Sequence, residues 1–150
     1  MRPVSKSSIG VLIADDSAAF CRLIATLLQS ESSTHIVGIA GNLDDALHFA
    51  VEYTPDVLLL DLHLDDLAGH DSLSVKIGFL SCMRNIIAMS TRTDEEERQF
   101  AQLYGASHLI DKFFLSEQLI PTIRSCGQRK RPLSLTPTRR QRQAPSRWAS

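Results

Sequence analysis

Two carboxylates stand side by side in VLIADDSAAF (Val11 to Phe20), where an apolar run breaks into Asp15 and Asp16 ahead of a helical pattern. One aspartate after such a run is an ordinary helix cap, because its side chain accepts from the free N–H groups of the first turn. Ser17 already offers an oxygen for that purpose. A second acid beside the first adds repulsion, so either both sit in water or something positive lies between them. Later apolar runs also end in functional groups: Asp61 follows DVLLL, Ser90 closes NIIAMS, and Lys112 stands just past SHLI. Unperturbed aspartates have a pKa of ~3.9, so three brought together are all ionised at neutral pH. A hard divalent cation resolves the repulsion. Mg²⁺, or Mn²⁺ in its place, takes oxygen ligands, keeps several waters, and is held by one or two carboxylates together with phosphate oxygens.

Such chemistry requires elements that bring these residues to one place. Short apolar runs rich in β-formers occur at Ile9 to Ala14, His35 to Ala40, Asp56 to Leu60, Asn85 to Met89 and Ser107 to Ile110. Each precedes a segment of helical character. Phe20, Leu23, Ile24, Leu27 and Leu28 recur at the spacing of a helix that buries one face, and Leu43, Ala46, Leu47 and Ala50 repeat it behind a capping Asn42. A third, less regular helix is expected over Asp71 to Met83. Thr93 with Glu96 forms a capping-box pattern for the fourth, which Gly105 stops, and Ser116 is placed to cap the fifth, where Pro121 should remove one backbone bond. The acidic run DEEER (Asp94 to Arg98) reads as a favourable first turn and a solvated helix face.

Strictly alternating strands and helices imply a doubly wound α/β fold, with five parallel strands and helices on both faces. The unbroken apolar character of DVLLL agrees, since a strand covered on both faces does not alternate. All strand C-termini then share one edge, where ligands bind near the point at which the strand order reverses. Asp15, Asp16, Asp61, Ser90 and Lys112 all fall on that edge.

The chain has 150 residues and 43% hydrophobic content, which suits one globular domain. Three widely spaced cysteines, Cys21, Cys82 and Cys126, offer neither a disulfide framework nor a thiolate zinc site, and the five histidines show no metal spacing. No apolar run approaches the ~20 residues that span a bilayer, so a cytoplasmic protein without a membrane partner is expected. Charge is unevenly distributed. Residues 1–127 hold all 17 acids against nine of the 16 Lys+Arg, a net of −8, whereas residues 128–150 hold seven basic residues and no acid. That tail also carries three of the six prolines and is expected to be disordered. The expected organisation is a leader over 1–8, a domain over 9–127 and a basic tail over 128–150.

Residues 9–127 resemble the receiver domain of bacterial response regulators, the phosphoacceptor half of two-component signalling. The resemblance rests on the acidic pair DD, the acceptor in PDVLLLD, Gly69 eight residues later, the hydroxyl in IIAMS, and Lys112 after YGASHLID. It implies the flavodoxin-like strand order 2-1-3-4-5. It also implies that Asp61 accepts a phosphoryl group from a phosphohistidine, so that the partner is a sensor histidine kinase or a histidine phosphotransfer protein. Asp16, Asp61 and the carbonyl of His63 would bind Mg²⁺ directly, and Asp15 through water. Lys112 and Ser90, with Thr91 beside it, would contact the phosphoryl group, while His63 and Arg92 would border the path of the attacking water.

Four positions depart from the family pattern: Asp65 stands where Pro is usual, Leu109 where a switch Tyr or Phe is common, Thr91 where Ala is usual, and Phe113 where Pro often follows the lysine. The Lys112–Phe113 peptide should therefore be trans, because a non-proline cis bond costs ~2.5–4 kcal/mol. Taken singly, Asp16 reads equally well as a helix-start residue, Ser90 reads more readily as a solvated loop hydroxyl and Lys112 as an ordinary surface lysine; it is their convergence that favours a site. The favoured reading is a receiver that signals by conformational change. One alternative is a truncated or degenerate DNA-binding regulator, since VGIAGNLDDALHFA and LSLTP resemble receivers that precede a helix-turn-helix. DNA is not the expected partner, because the residues after Pro132 show no helix-turn-helix periodicity. Another is a receiver-like binding module that acts without phosphorylation.

Overall fold

Strand β1 (Ile9–Ala14) is buried at every position, as are all five residues of β3 (Val57–Asp61) and all but the first of β4 (Asn85–Ser90). Strands so covered must carry side chains into two cores at once. The computed structural model describes residues 8–65, 67 and 69–128; apart from Ser8 and Gln128, the leader and the basic tail lie outside them. Five parallel strands form one sheet in the order β2-β1-β3-β4-β5, with β2 at Thr34–Ala40 and β5 at His108–Asp111. Alternate residues of each strand serve opposite faces. Val11, Ile13, Val57, Leu59, Ile87 and Met89 pack with Ile24 and Leu28 of α1 (Ala18–Gln29) and Leu119 and Ile123 of α5 (Leu115–Gln128). Leu12, Leu58, Leu60 and Ile86 face the other way, toward α2 (Leu43–Tyr53), α3 (Ser72–Leu80) and α4 (Glu95–Leu103).

The register sets the height of each functional residue. Ala14 pairs with Leu60, Asp61 with Met89, and Ser90 with Asp111. One step further along β1 brings Asp15 level with Asp61, and one step past β5 reaches Lys112. Chain order reverses across β1, which has β2 on one side and β3 on the other, so the crevice of a doubly wound sheet opens where Asp15 and Asp61 stand.

Ser17 and Asn42 cap α1 and α2 as expected, each accepting from the backbone N–H three residues on. Two other expected caps are corrected. The cap of α4 is Asp94 rather than Thr93, and its Oδ1 accepts from Glu97 N at 2.9 Å. Asp aligns its carboxylate with the N–H groups of the first turn as well as Thr does and adds a charge that favours the positive helix end. Before α5, Ser116 is already helical; Asp111 caps a 3-10 turn (Lys112–Phe114) through Phe113 N and leads directly into the helix. Helix α5 runs through Pro121, and the peptides of the described residues, Lys112–Phe113 included, are all trans.

Two of the described residues have left-handed backbones: Gly105, at φ +89° after α4, and Thr54, at φ +39° closing α2. A side chain in that region costs roughly 1–2 kcal/mol, and Thr is branched at Cβ. Thr54→Gly should therefore raise stability by about 0.5–1 kcal/mol in urea denaturation. Gly105→Ala should lower it, because the new Cβ would keep the strained φ and lie 3.1 Å from Lys76 Cγ.

Candidate functional site at the carboxyl edge of the sheet

The chain turns out of β1 through Asp15, which is buried, and Asp16, which is exposed. The Ser17 N–H donates to Asp15 Oδ1 at 2.8 Å and fixes that carboxylate in the turn. Asp15 Oδ2 is buried with no hydrogen-bond partner of regular geometry, and what neutralises it is the Lys112 ammonium 2.8 Å away. The same ammonium lies 3.4 Å from Asp61 Oδ2, with the ring of Phe20 4.3 Å beneath it. Asp61 Oδ1 accepts from His63 N at 3.0 Å. Carboxylate oxygens of Asp15, Asp16 and Asp61 all lie within 4.8 Å of one another.

These distances set an electrostatic problem with a definite sign. Three carboxylates against one ammonium leave two negative charges in excess at a partly buried site. The carboxyl of Asp61 is pushed above the ordinary aspartate range, chiefly by burial; the His63 N–H and the Lys112 charge act in the opposite direction. Asp16 is also raised, first by loss of solvent and then by its hydrogen bond and repulsion with Asp65. A site that disfavours its own ionised form requires positive charge. The all-oxygen donor set and the uncompensated charge both fit a hard divalent cation of the Mg²⁺ type.

The other expected residues are arranged differently. Ser90, fully buried at the end of β4, donates its hydroxyl proton to Glu97 Oε2 at 2.5 Å and accepts from Arg92 N at 3.1 Å. His63 Nε2 lies 2.8 Å from the same Glu97 oxygen. Thr91 and Arg92 are exposed, and the guanidinium pairs with Asp94 at 2.9 Å, Glu96 at 3.4 Å and Glu97 at 3.6 Å. Glu97 itself is 3% exposed, which corrects the reading of DEEER as wholly solvated. A period-3.6 count could have found it, since Glu97 lies four residues before Ala101 on the buried face of α4.

Residues 11–124 match the response regulator receiver domain family. The chain belongs to that family. Among its relatives is protein-glutamate methylesterase/protein-glutamine glutaminase 5 of Myxococcus xanthus, 33% identical over 71% of this chain and 30% of that protein. Another is the transcriptional regulatory protein KdpE of Mycobacterium tuberculosis, 31% identical over 79% of this chain and 51% of KdpE. The response regulator domain of Thermotoga maritima CheB has the same fold, with a TM-score of 0.70 and 23% identity over 81% of this chain and 97% of that domain. The match to the first two therefore spans only 30% and 51% of those relatives' own lengths. Receivers of this family typically bind Mg²⁺ through an acidic cluster, and Asp15, Asp16 and Asp61 are grouped in this chain. No helix among the described residues is long and apolar enough to cross a membrane.

The raised Asp61 carboxyl gives the receiver a testable pH dependence. A carboxyl that holds its proton more tightly when folded favours the folded state at low pH, and that contribution is lost as pH rises through the raised value. In metal-free protein at pH 7, Asp61→Asn should accordingly raise the melting temperature, with the gain vanishing below the unfolded value of ~3.9. Mg²⁺ at 100 times its Kd should stabilise wild type by about 2.7 kcal/mol, reversibly with EDTA, and stabilise Asp61→Asn far less.

Proposed function

We propose that this receiver accepts a phosphoryl group on Asp61 from a phosphohistidine of a sensor kinase or histidine phosphotransfer protein and signals by a change of conformation. The observation that carries the reading is the position of Asp61. One carboxylate oxygen is held by the His63 N–H, the other faces the Lys112 ammonium at 3.4 Å, and two further carboxylates stand within 4.8 Å. In the transfer an Asp61 oxygen forms a bond to phosphorus as the phosphorus–nitrogen bond of the donor breaks, and its electron pair returns to the imidazole. Little covalent work falls to the protein, since phosphoryl transfer depends mainly on positioning and charge neutralisation. Lys112 supplies one positive charge from a fixed, buried position. Asp16, Asp61 and the His63 carbonyl, with Asp15 through water, would hold Mg²⁺, which would supply the remaining positive charge. Ser90 becomes a donor to a phosphoryl oxygen once Asp61 is modified, with Thr91 beside it.

This reading assigns the domain no catalysis beyond its own phosphorylation and dephosphorylation. The relatives support a separable output, because a methylesterase and a transcriptional regulator match over only 30% and 51% of their own lengths. What they share with this chain is therefore not what distinguishes them.

Acetyl phosphate with Mg²⁺ should label wild type, and neither Asp61→Asn nor an EDTA-treated sample should take label. Equal labelling of Asp61→Asn would remove the reading. A second measurement concerns lifetime. His63 and Arg92 flank the acceptor and are tied to α4 through Glu97, so they, with the branched Thr91, should hinder the hydrolytic water. Phosphate should leave His63→Asn/Arg92→Glu/Thr91→Ala several-fold faster than wild type in a timed decay, and an unchanged decay would exclude the role.

A further inference from the structure

One carboxylate joins the acceptor site to a helix. Glu97 lies in the first turn of α4, and its own N–H is bonded to the cap Asp94 at 2.9 Å. Its Oε2 receives the Ser90 hydroxyl from the end of β4 at 2.5 Å and His63 Nε2 from the loop after β3 at 2.8 Å, while Oε1 lies 3.6 Å from Arg92 Nη1. Only 3% of Glu97 is exposed, so this carboxylate depends on those partners rather than on water. His63 links the acceptor to this carboxylate, with its N–H on Asp61 Oδ1 and its ring on Glu97.

We propose that Glu97 is a positioning residue that holds Ser90 away from the acceptor in the resting state and passes the state of Asp61 to α4, an inference that rests on Asp61 being the phosphoacceptor. The coupling turns on one proton. The Ser90 hydroxyl has a single hydrogen, already donated to Glu97, and its oxygen is occupied by the Arg92 N–H. It serves a phosphoryl oxygen on Asp61 only by leaving Glu97. That departure removes the shortest hydrogen bond of a buried carboxylate, and a buried charge that loses a partner turns toward water or toward its remaining cations. Either movement carries the first turn of α4. It also reshapes a cleft of about 670 Å³ whose lining includes His63, Arg92, Glu97, Phe100 and Leu103. Leu109 on β5, half-buried and aliphatic, packs against the core below α4 and has no polar group with which to take part.

The test uses the full chain with Mg²⁺, read by backbone amide resonances and hydrogen exchange before and after beryllofluoride, an acyl-phosphate mimic. In wild type, beryllofluoride should shift the amides of residues 95–103 and speed their exchange. Glu97→Asp keeps the acid but is one methylene shorter, so it should not hold Ser90. Its unliganded α4 resonances should already lie near the liganded wild-type positions, and acetyl phosphate should label it several-fold faster, since the competent state is populated in advance. Glu97→Gln keeps an acceptor for Ser90 and should stay near resting wild type. Ser90→Ala removes the donor, leaves Glu97 intact and should release α4 without ligand, which covers the case of a poorly folded Glu97→Asp. The inference is overturned if Glu97→Asp and Ser90→Ala both match resting wild type, or if beryllofluoride shifts amides around Asp61 but none in α4. Absence of any response around Asp61 in wild type would overturn the phosphoacceptor reading itself, and this inference with it.

Discussion

The Lys112 ammonium lies 2.8 Å from Asp15 and 3.4 Å from Asp61 with 7% of its side chain exposed, and the rest of the carboxyl edge is built around that charge. Burying an ammonium carries a desolvation cost that only close, well-placed anions offset, and removing one partner of such a pair leaves the other uncompensated. Asp15 Oδ2 illustrates the dependence, since it is buried without a hydrogen bond and the ammonium is what neutralises it. The lysine does not finish the task. Three carboxylates against one cation leave the site short of positive charge, and burial first, with repulsion between neighbouring carboxylates, raises the Asp61 and Asp16 carboxyls. A site with this deficit favours ligands that bring cations.

Such a balance tolerates little positional error, and the sheet supplies the precision. Parallel strands buried on both faces have no freedom to slip, because a one-residue shift would exchange the side chains of the two cores. Val57 and Leu59 serve the core under α1 and α5, while Leu58 and Leu60 serve the opposite one, so the position of Asp61 is fixed by the four residues before it. The same holds for Ser90 behind Ile87, Ala88 and Met89. Hydrophobic packing sets the position of Asp61, and the polar residues need only be the right types at the strand ends.

This explains which parts of the molecule were legible in the sequence. Strand ends were, because apolar runs stop where the functional residue begins, and Asp15, Asp16, Asp61 and Lys112 converge as the alternating pattern implies. Caps were legible at Ser17 and Asn42, and misplaced ahead of α4, where neighbours competed. In TRTDEEER both Thr93 and Asp94 offer a capping oxygen, and only the position of the helix chooses Asp94. Ser90 was located but not its partner. Glu97 sits among exposed acids of the same type, and its burial follows from the rotation of α4 against the sheet, which composition does not encode. The strand order came from the family likeness, since alternation alone allows other orders.

One departure from the family pattern, Leu109, then takes on a physical sense. An aromatic on the last strand reports on the switch hydroxyl by filling the space that the hydroxyl vacates, a steric coupling that an aliphatic Leu109 does not offer. Here the hydroxyl is instead bonded to a charged side chain on the next helix, and the same carboxylate gathers His63 and Arg92. A steric link changes with ring orientation, whereas a hydrogen-bonded one changes with the allocation of a single proton. The second kind needs no cavity beside the fifth strand and delivers its effect at the start of α4 rather than along β5. If the acceptor controls that proton, the surface carrying the output is the one bordered by Glu97, Phe100 and Leu103, and conservation of an aromatic switch is not required for the domain to signal.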